Sequence, residues 1–315
     1  MDVAEFLIWA EQFKNWGRWG PDDEIGALNY VTPERIVDAS RLVKKGKVIS
    51  LAIPFNMDGP QRRTPTNKRF NAIHAMLKTG IDDPALFSDN PPILHVTDDM
   101  ATLALQGQTQ WDSLAHIIFK GRLYNDQPHY LVTGNGASRN SIDKMSDKIV
   151  GRGVLLDFPR YKGVDWLEPG TAITTEDIEG CAAAQGVEIQ EGDFLMIRTG
   201  HIALCKAKGN WDGFVFSDCA GLSVLTIPWL FEKGIASVAA DNFAVEVHPS
   251  EVEGQRIPFH LVAIAYVGLL LGEILDFDEL AEDCAQDGVY DFFFVAPPLP
   301  ITGSVGSPMN PQAIK

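Results

Sequence analysis

With 315 residues, 45% of them hydrophobic and 22% charged, the chain can bury a sizeable core and is too mixed in sign to be disordered along its length. A formal net charge of −16 and a pI near 4.8 set it against phosphate backbones. The short basic stretches at 41–47 and 61–69 do not compensate, which excludes nucleic acid as an expected partner. Cys181, Cys205, Cys219 and Cys284 have neither CxxC nor metal-ligand spacing and are expected as reduced, mostly buried thiols.

The opening "MDVAEFLIWAEQFKNW" lacks a basic region followed by a long apolar run, so no secretory signal is expected. Residues 32–47 predict a helix, capped by Thr32 with Pro33 in its first turn. Residues 48–55 predict a strand, and 56–92, rich in Asn, Asp, Pro and Gly, a long excursion outside the core. In the second half, strands at 151–159, 192–200 and 235–242 alternate with helices at 174–186 and 223–234. The most apolar stretch, 261–275, is shorter than a membrane span and carries Glu273. The pattern predicts an α/β fold, one domain over 1–315 around a mixed sheet, in a cytoplasmic setting with no membrane partner.

The stretch "QGQTQWDSLAH" (106–116) crowds polar side chains between two apolar runs. Asp112 and His116, four apart, would share a face on a helix or converge at a strand-to-helix turn. His260 and Glu273 bracket another apolar stretch. Asp, His and Glu are the side chains that bind divalent metals, and a carboxylate beside apolar strands needs compensation. Each also has a plainer reading as a satisfied buried residue or, for Glu273, an exposed one. No glycine-rich phosphate loop is present: "GNGASRN" (134–140) fits neither nucleotide fingerprint.

Together, "NWGRWGPDDEIGALNYVTPE" (15–34), "QTQWDSLAH", "IVGRGVLLDFPR" (149–160), "GDFLMIRTG" (192–200) and "GSPMNPQAI" (306–314) resemble the cyclase family, which includes kynurenine formamidases and isatin hydrolases. The resemblance runs along nearly the whole chain and is to the longer members. It implies a swivelling β/β/α fold with a barrel-like core and flanking helices, and a homo-oligomer, dimer or tetramer. Residues 1–47 would then form a helical arm serving as a lid or an oligomer contact.

The family signature is His-x-Gly-Thr-His-x-Asp-x-Pro-x-His. The resemblance makes Asp112 a metal ligand and His116 the general acid/base, with His260 and Glu273 as further ligands. This chain departs from the pattern: Gln106 and Gln110 replace the two histidines, Gln108 the glycine and Leu114 the proline. An amide carbonyl is a harder, weaker donor than imidazole. The expected site therefore holds one divalent ion, Mn or Zn, on Asp112, His260 and Glu273 with Gln110 or Gln106 as a carbonyl ligand. Its oxygen-rich set favours manganese or magnesium over zinc.

The implied activity is hydrolysis of a small amide, cyclic amide or lactone by metal-activated water, with an arylformamidase of tryptophan catabolism as the nearest specific case. The alternative is a metal-free cyclase, dehydratase or isomerase. There His116 would move the proton while Gln106, Gln110 and Asp112 orient a small-molecule substrate. A binding protein with no catalysis would not need this acid/base and ligand set. Trp111, Trp16 and Trp19, with Phe70 and Phe243, are candidate aromatic walls, and His201, at a strand end, is a candidate substrate contact.

Overall fold

The computed structural model describes every residue except 63, 65 and 66, which lie within the 56–92 excursion. Among the described residues, nine strands form one mixed sheet curled into a half-barrel. In chain order they are β1 (Val48–Ser50), β2 (Gln110–Asp112), β3 (Val150–Asp157), β4 (Phe194–Arg198), β5 (Ser237–Ala240), β6 (Leu270–Glu273), β7 (Asp291–Val295), β8 (Gly306–Pro308) and β9 (Gln312–Ile314). They lie in the order β1–β9–β7–β3–β4–β5–β6–β2–β8.

Strands β3 to β6 are mutually parallel, and β2 closes against β6 in the antiparallel sense. The parallel strands read as short unbroken apolar runs because both faces are covered. Val154, Leu155, Leu195, Met196, Val238 and Leu271 are all fully buried. Helices occupy the crossovers that parallel pairing demands. They are Thr175–Gln185 before β4, His201–Lys208 and Ile227–Lys233 before β5, and Pro258–Val262 before β6.

The expected helix at 174–186 is Thr175–Gln185, with Thr174 and Asp177 making a capping box and Gly186 closing it at φ 66°. Other elements are shorter than expected. The strand at 48–55 is regular only over Val48–Ser50, because the chain then leaves β9 and bridges at Ala52 to Leu275, with Ile53 N–H on the Thr109 hydroxyl. The helix at 32–47 covers Pro33–Ser40 and then turns. That turn lets the Lys45 and Lys47 N–H groups reach the Lys315 carbonyl. The helix at 223–234 is a 3-10 turn followed by Ile227–Lys233.

An exposed antiparallel pair joins Ile73–Lys78, within the 56–92 excursion, to Asp98–Thr102 beyond it. The apolar stretch 261–275 divides into a helix end, a π turn over Ala263–Val267 and strand β6. Among the described residues, no helix is long and apolar enough to cross a membrane. All four cysteines are free and buried, as expected.

The N-terminal segment packs on its own chain. A capped helix, Val3–Ala10, buries Phe6 and Ala10. Asn15 then bonds Tyr266 O and Val267 O at 2.9 Å each, and the Trp16 indole donates to Ala265 O at 2.7 Å. These ties fix the turn that follows the helix Pro258–Val262.

Candidate metal centre

Strands β2 and β6 pair with Gln110 opposite Glu273, Trp111 opposite Gly272 and Asp112 opposite Leu271. Side chains alternate across a pleated strand, so Gln110, Asp112 and Glu273 share one face while Trp111 and Gly272 share the other. The Gln110 amide donates to Glu273 Oε2 in a close contact. His260, from the crossover helix, brings Nε2 to 3.2 Å from Glu273 Oε1 and 3.9 Å from Asp112 Oδ2. One ligand atom each from Asp112, His260 and Glu273 lies within 4.8 Å of the others, and all three residues are buried.

The strand ends in a turn rather than leading into a helix, closed by His116 N–H on Ser113 O at 3.0 Å. That turn returns His116 Nε2 to 3.8 Å from Asp112 Oδ2. With 21% of its side chain exposed, against 1% for Asp112, His116 is the member of the group that meets solvent.

A third carboxyl group completes the centre. Glu246 is buried and accepts from Phe259 N at 3.0 Å, His260 N at 3.1 Å and His260 Nδ1 at 2.6 Å. It therefore anchors the helix start and fixes the His260 ring, with Nδ1 engaged and Nε2 turned to the other carboxylates. The sequence reading missed it, because a single Glu inside "FAVEVHPS" carries no motif signal. Two β-branched residues in the left-handed region adjoin the centre: Val245 at φ 58° before Glu246, and Ile274 at φ 61° after Glu273. Such conformations cost about 1–3 kcal/mol each and concentrate at functional sites.

The electrostatics of the centre are unbalanced. Burial pushes the Asp112 carboxyl above its usual range, and the Glu273 charge adds to that, against the pull of His116, Arg69 and His260. Burial alone would lower His260, but Glu246 and Glu273 outweigh it and push its pKa up to about 10. Among the described residues, no Lys or Arg forms an ion pair with Asp112, Glu246 or Glu273. Three carboxyl groups around one imidazolium, with Arg69 acting on Asp112 only from beyond ion-pair distance, leave an excess of acidic groups in a desolvated place, which is costly without a closer counter-cation.

Two buried acceptors, Gln110 Oε1 and Asp112 Oδ1, have no hydrogen-bond partner among the described residues. Excess negative charge, orphaned oxygen acceptors and an oriented imidazole together fit a divalent cation. Its binding would displace the His260 proton.

Trp111, Trp16, Trp19 and His201 fall elsewhere. Trp111 is fully buried on the opposite sheet face, donating to Ala296 O at 2.9 Å, so it cannot wall a substrate pocket; its place inside the motif concealed its place in the pleat. Trp16 packs edge-on against Tyr266 at 5.2 Å and Trp19 against Tyr30 at 5.2 Å, within the N-terminal packing. His201 is buried against Phe214 at 4.8 Å, and burial lowers its pKa to about 4. Gln106 lies beside Gly306, the residue that pairs with Asp112 across β2 and β8, and its amide nitrogen has no partner among the described residues.

Thr109 and Gln108 are structural. The Thr109 hydroxyl joins Ile53 N to Ile274 O, and the Gln108 amide joins Ala72 N to Pro54 O. Phe243 stacks on His248 at 5.2 Å in a cavity of about 560 Å³, lined also by Phe216, Arg256 and Ile257. Ile257 directly precedes the helix that carries His260.

The Cyclase family model matches residues 31–247, a span that includes Asp112, His116 and Glu246. The chain belongs to the cyclase family. A crystal structure of a novel cyclase is 41% identical, covers 97% of this chain and 99% of its own, and superposes with a TM-score of 0.88. Isatin hydrolase A from Ralstonia solanacearum shares the fold at 17% identity, covering 85% of this chain and 91% of that one, with a TM-score of 0.63. An isatin hydrolase bound to the product analogue thioisatinate shares it at 16% identity, covering 90% and 98%, with a TM-score of 0.64. No curated protein matches the chain. Membership of the cyclase family places the chain among enzymes and agrees with the resemblance read from the sequence.

Proposed function

We propose that the chain is a metal-dependent hydrolase of a small amide, cyclic amide or lactone, of the arylformamidase kind. The observation that carries this reading is the buried Asp112–His260–Glu273 triangle, with its surplus negative charge and its His260 ring held by Glu246. Manganese is the preferred ion, because carboxylate and amide oxygens outnumber nitrogen in the donor set, with Gln110 Oε1 available as a carbonyl ligand. When bound, the ion supplies an acidified water and polarises the substrate carbonyl.

The protein's own groups do the rest. Asp112, His260 and Glu273 hold the cation, and Glu246 keeps the His260 imidazole oriented. His116, partly exposed beside Asp112, takes the proton from the attacking water as the new C–O bond forms. It returns that proton to the departing nitrogen or oxygen as the C–N or C–O bond breaks. An amide and water thus give a carboxylic acid and an amine.

The test is turnover of formanilide, a cyclic imide and a γ-lactone by manganese-loaded protein and by His116→Asn. The reading expects at least one substrate to be hydrolysed. It also expects His116→Asn to lower kcat by about 10²–10⁴-fold with manganese content unchanged. Hydrolysis that survives both chelation and His116→Asn would refute it.

A further inference from the structure

Arg69 stands apart from the other half-buried arginines. Among the described residues of that kind, Arg35 pairs with Glu191 at 2.8 Å, Arg139 with Asp22 at 3.1 Å, Arg152 with Asp193 at 2.8 Å and Arg198 with Asp157 at 2.8 Å. The Arg69 guanidinium has no hydrogen bond or ion pair among the described residues. A partly desolvated, unpaired cation costs stability, and a chain with surplus acidic residues could readily have paired it.

Its backbone is fixed beside the motif. Arg69 N–H donates to Asn67 Oδ1 at 3.0 Å, and the Asn67 amide is tied to Gln61 Oε1 at 3.1 Å. Gln61 in turn donates to Gly107 O at 2.8 Å. On the other side, Ala72 N–H donates to Gln108 Oε1 at 3.0 Å. A Cβ on Gly107 would fall 2.8 Å from Phe70 O, so the two segments lie in contact. Arg69 is thus clamped against the residues that lead into Gln110 and Asp112, and its charge acts on the Asp112 carboxyl.

We propose that Arg69 is the anion anchor of this site, where its guanidinium takes the carboxylate of a carboxylate-bearing amide or ester substrate as a two-bond pair. The planar fork of arginine matches a carboxylate. A monoanion suits the place better than a phosphate dianion, because Asp112, Glu246 and Glu273 already make the neighbourhood negative. The reacting carbonyl is a separate group of the same substrate. That part rests on the hydrolase reading; the anion anchor itself does not.

The test uses 4-fluorobenzoate as the probe and 4-fluorobenzamide as its uncharged counterpart, each titrated into the full chain stripped of metal by chelation and followed by fluorine NMR. Benzoate is expected to bind more tightly than benzamide. Arg69→Gln is expected to weaken benzoate about tenfold or more and Arg69→Lys less, with benzamide unchanged.

Equal affinity of the wild-type chain for the two probes, or no benzoate binding, overturns the proposal without recourse to any variant. Equal benzoate affinity in folded Arg69→Gln overturns it too. Metal uptake, measured separately on the same preparations, judges the hydrolase reading. Arg69-dependent benzoate binding in a chain that takes up no metal would retire that reading and keep the anchor.

Discussion

Replacing Glu246 with Gln tests the support behind the proposed metal ligand. Glu246 Oε2 accepts from Phe259 N, while Oε1 accepts from both His260 N and His260 Nδ1. A glutamine keeps the shape but must set its NH₂ against one of these donors, leaving at least one donor facing another. That mismatch costs about 1–3 kcal/mol of metal-free stability. It also frees the His260 ring to turn and removes the charge that makes its Nε2 a better ligand. Losing such a supporting partner lowers metal affinity about 10–100-fold, or about 1.4–2.8 kcal/mol. Manganese affinity by isothermal calorimetry and stability by urea unfolding would read the two effects. A Glu246→Gln chain that binds manganese as tightly as wild type and unfolds at the same urea concentration would refute the role given to Glu246.

Gly272→Val should break the register that sets Glu273 opposite Gln110. A Cβ there would fall 2.6 Å from Trp111 Cζ3 and 2.8 Å from Ala239 Cβ, both deep in the core. Overpacking of this kind costs about 3 kcal/mol and should lower Tm by about 5 °C in a thermal melt. Lys315→Met should destabilise by about 2 kcal/mol near neutral pH, since Lys315 Nζ sits 3.1 Å from Asp283 and 2.9 Å from Asp287. Burial opposes ionisation of Asp287, but Lys45 and Lys315 prevail and hold its pKa at about 2 rather than 3.8. A depressed carboxyl pKa stabilises the fold above its unfolded value, and the contribution fades as pH falls through the folded one. The gap between variant and wild type should therefore shrink between pH 4 and pH 2, as measured by denaturant unfolding across that range.

The sequence carried the parts of the centre that have a fixed order and spacing. Asp112, His116, His260 and Glu273 were legible because a motif and a downstream pair named them, and the fold does bring them together. Glu246 was not, because its tie to His260 depends on how a crossover folds back between β5 and β6. Trp111 was misread because a motif position says nothing about which face of a strand it takes, and here that face is the core. The apolar runs at β3, β4 and β5 identified buried strands, while the strand at 48–55 stops at Ser50 because the chain changes partner to Leu275 at Ala52. Arg69 carries no sequence signal either; what marks it is a guanidinium with no hydrogen bond or ion pair among the described residues.

The most direct test of the central claim is the metal content of wild-type protein and Asp112→Ala, both grown with added manganese and zinc and then dialysed. The account predicts about one divalent ion per chain in the wild type, with Asp112, His260 and Glu273 as its ligands, and loss of most of it in Asp112→Ala. A wild-type chain that carries no metal, or an Asp112→Ala chain that retains it in full, would contradict the proposed centre.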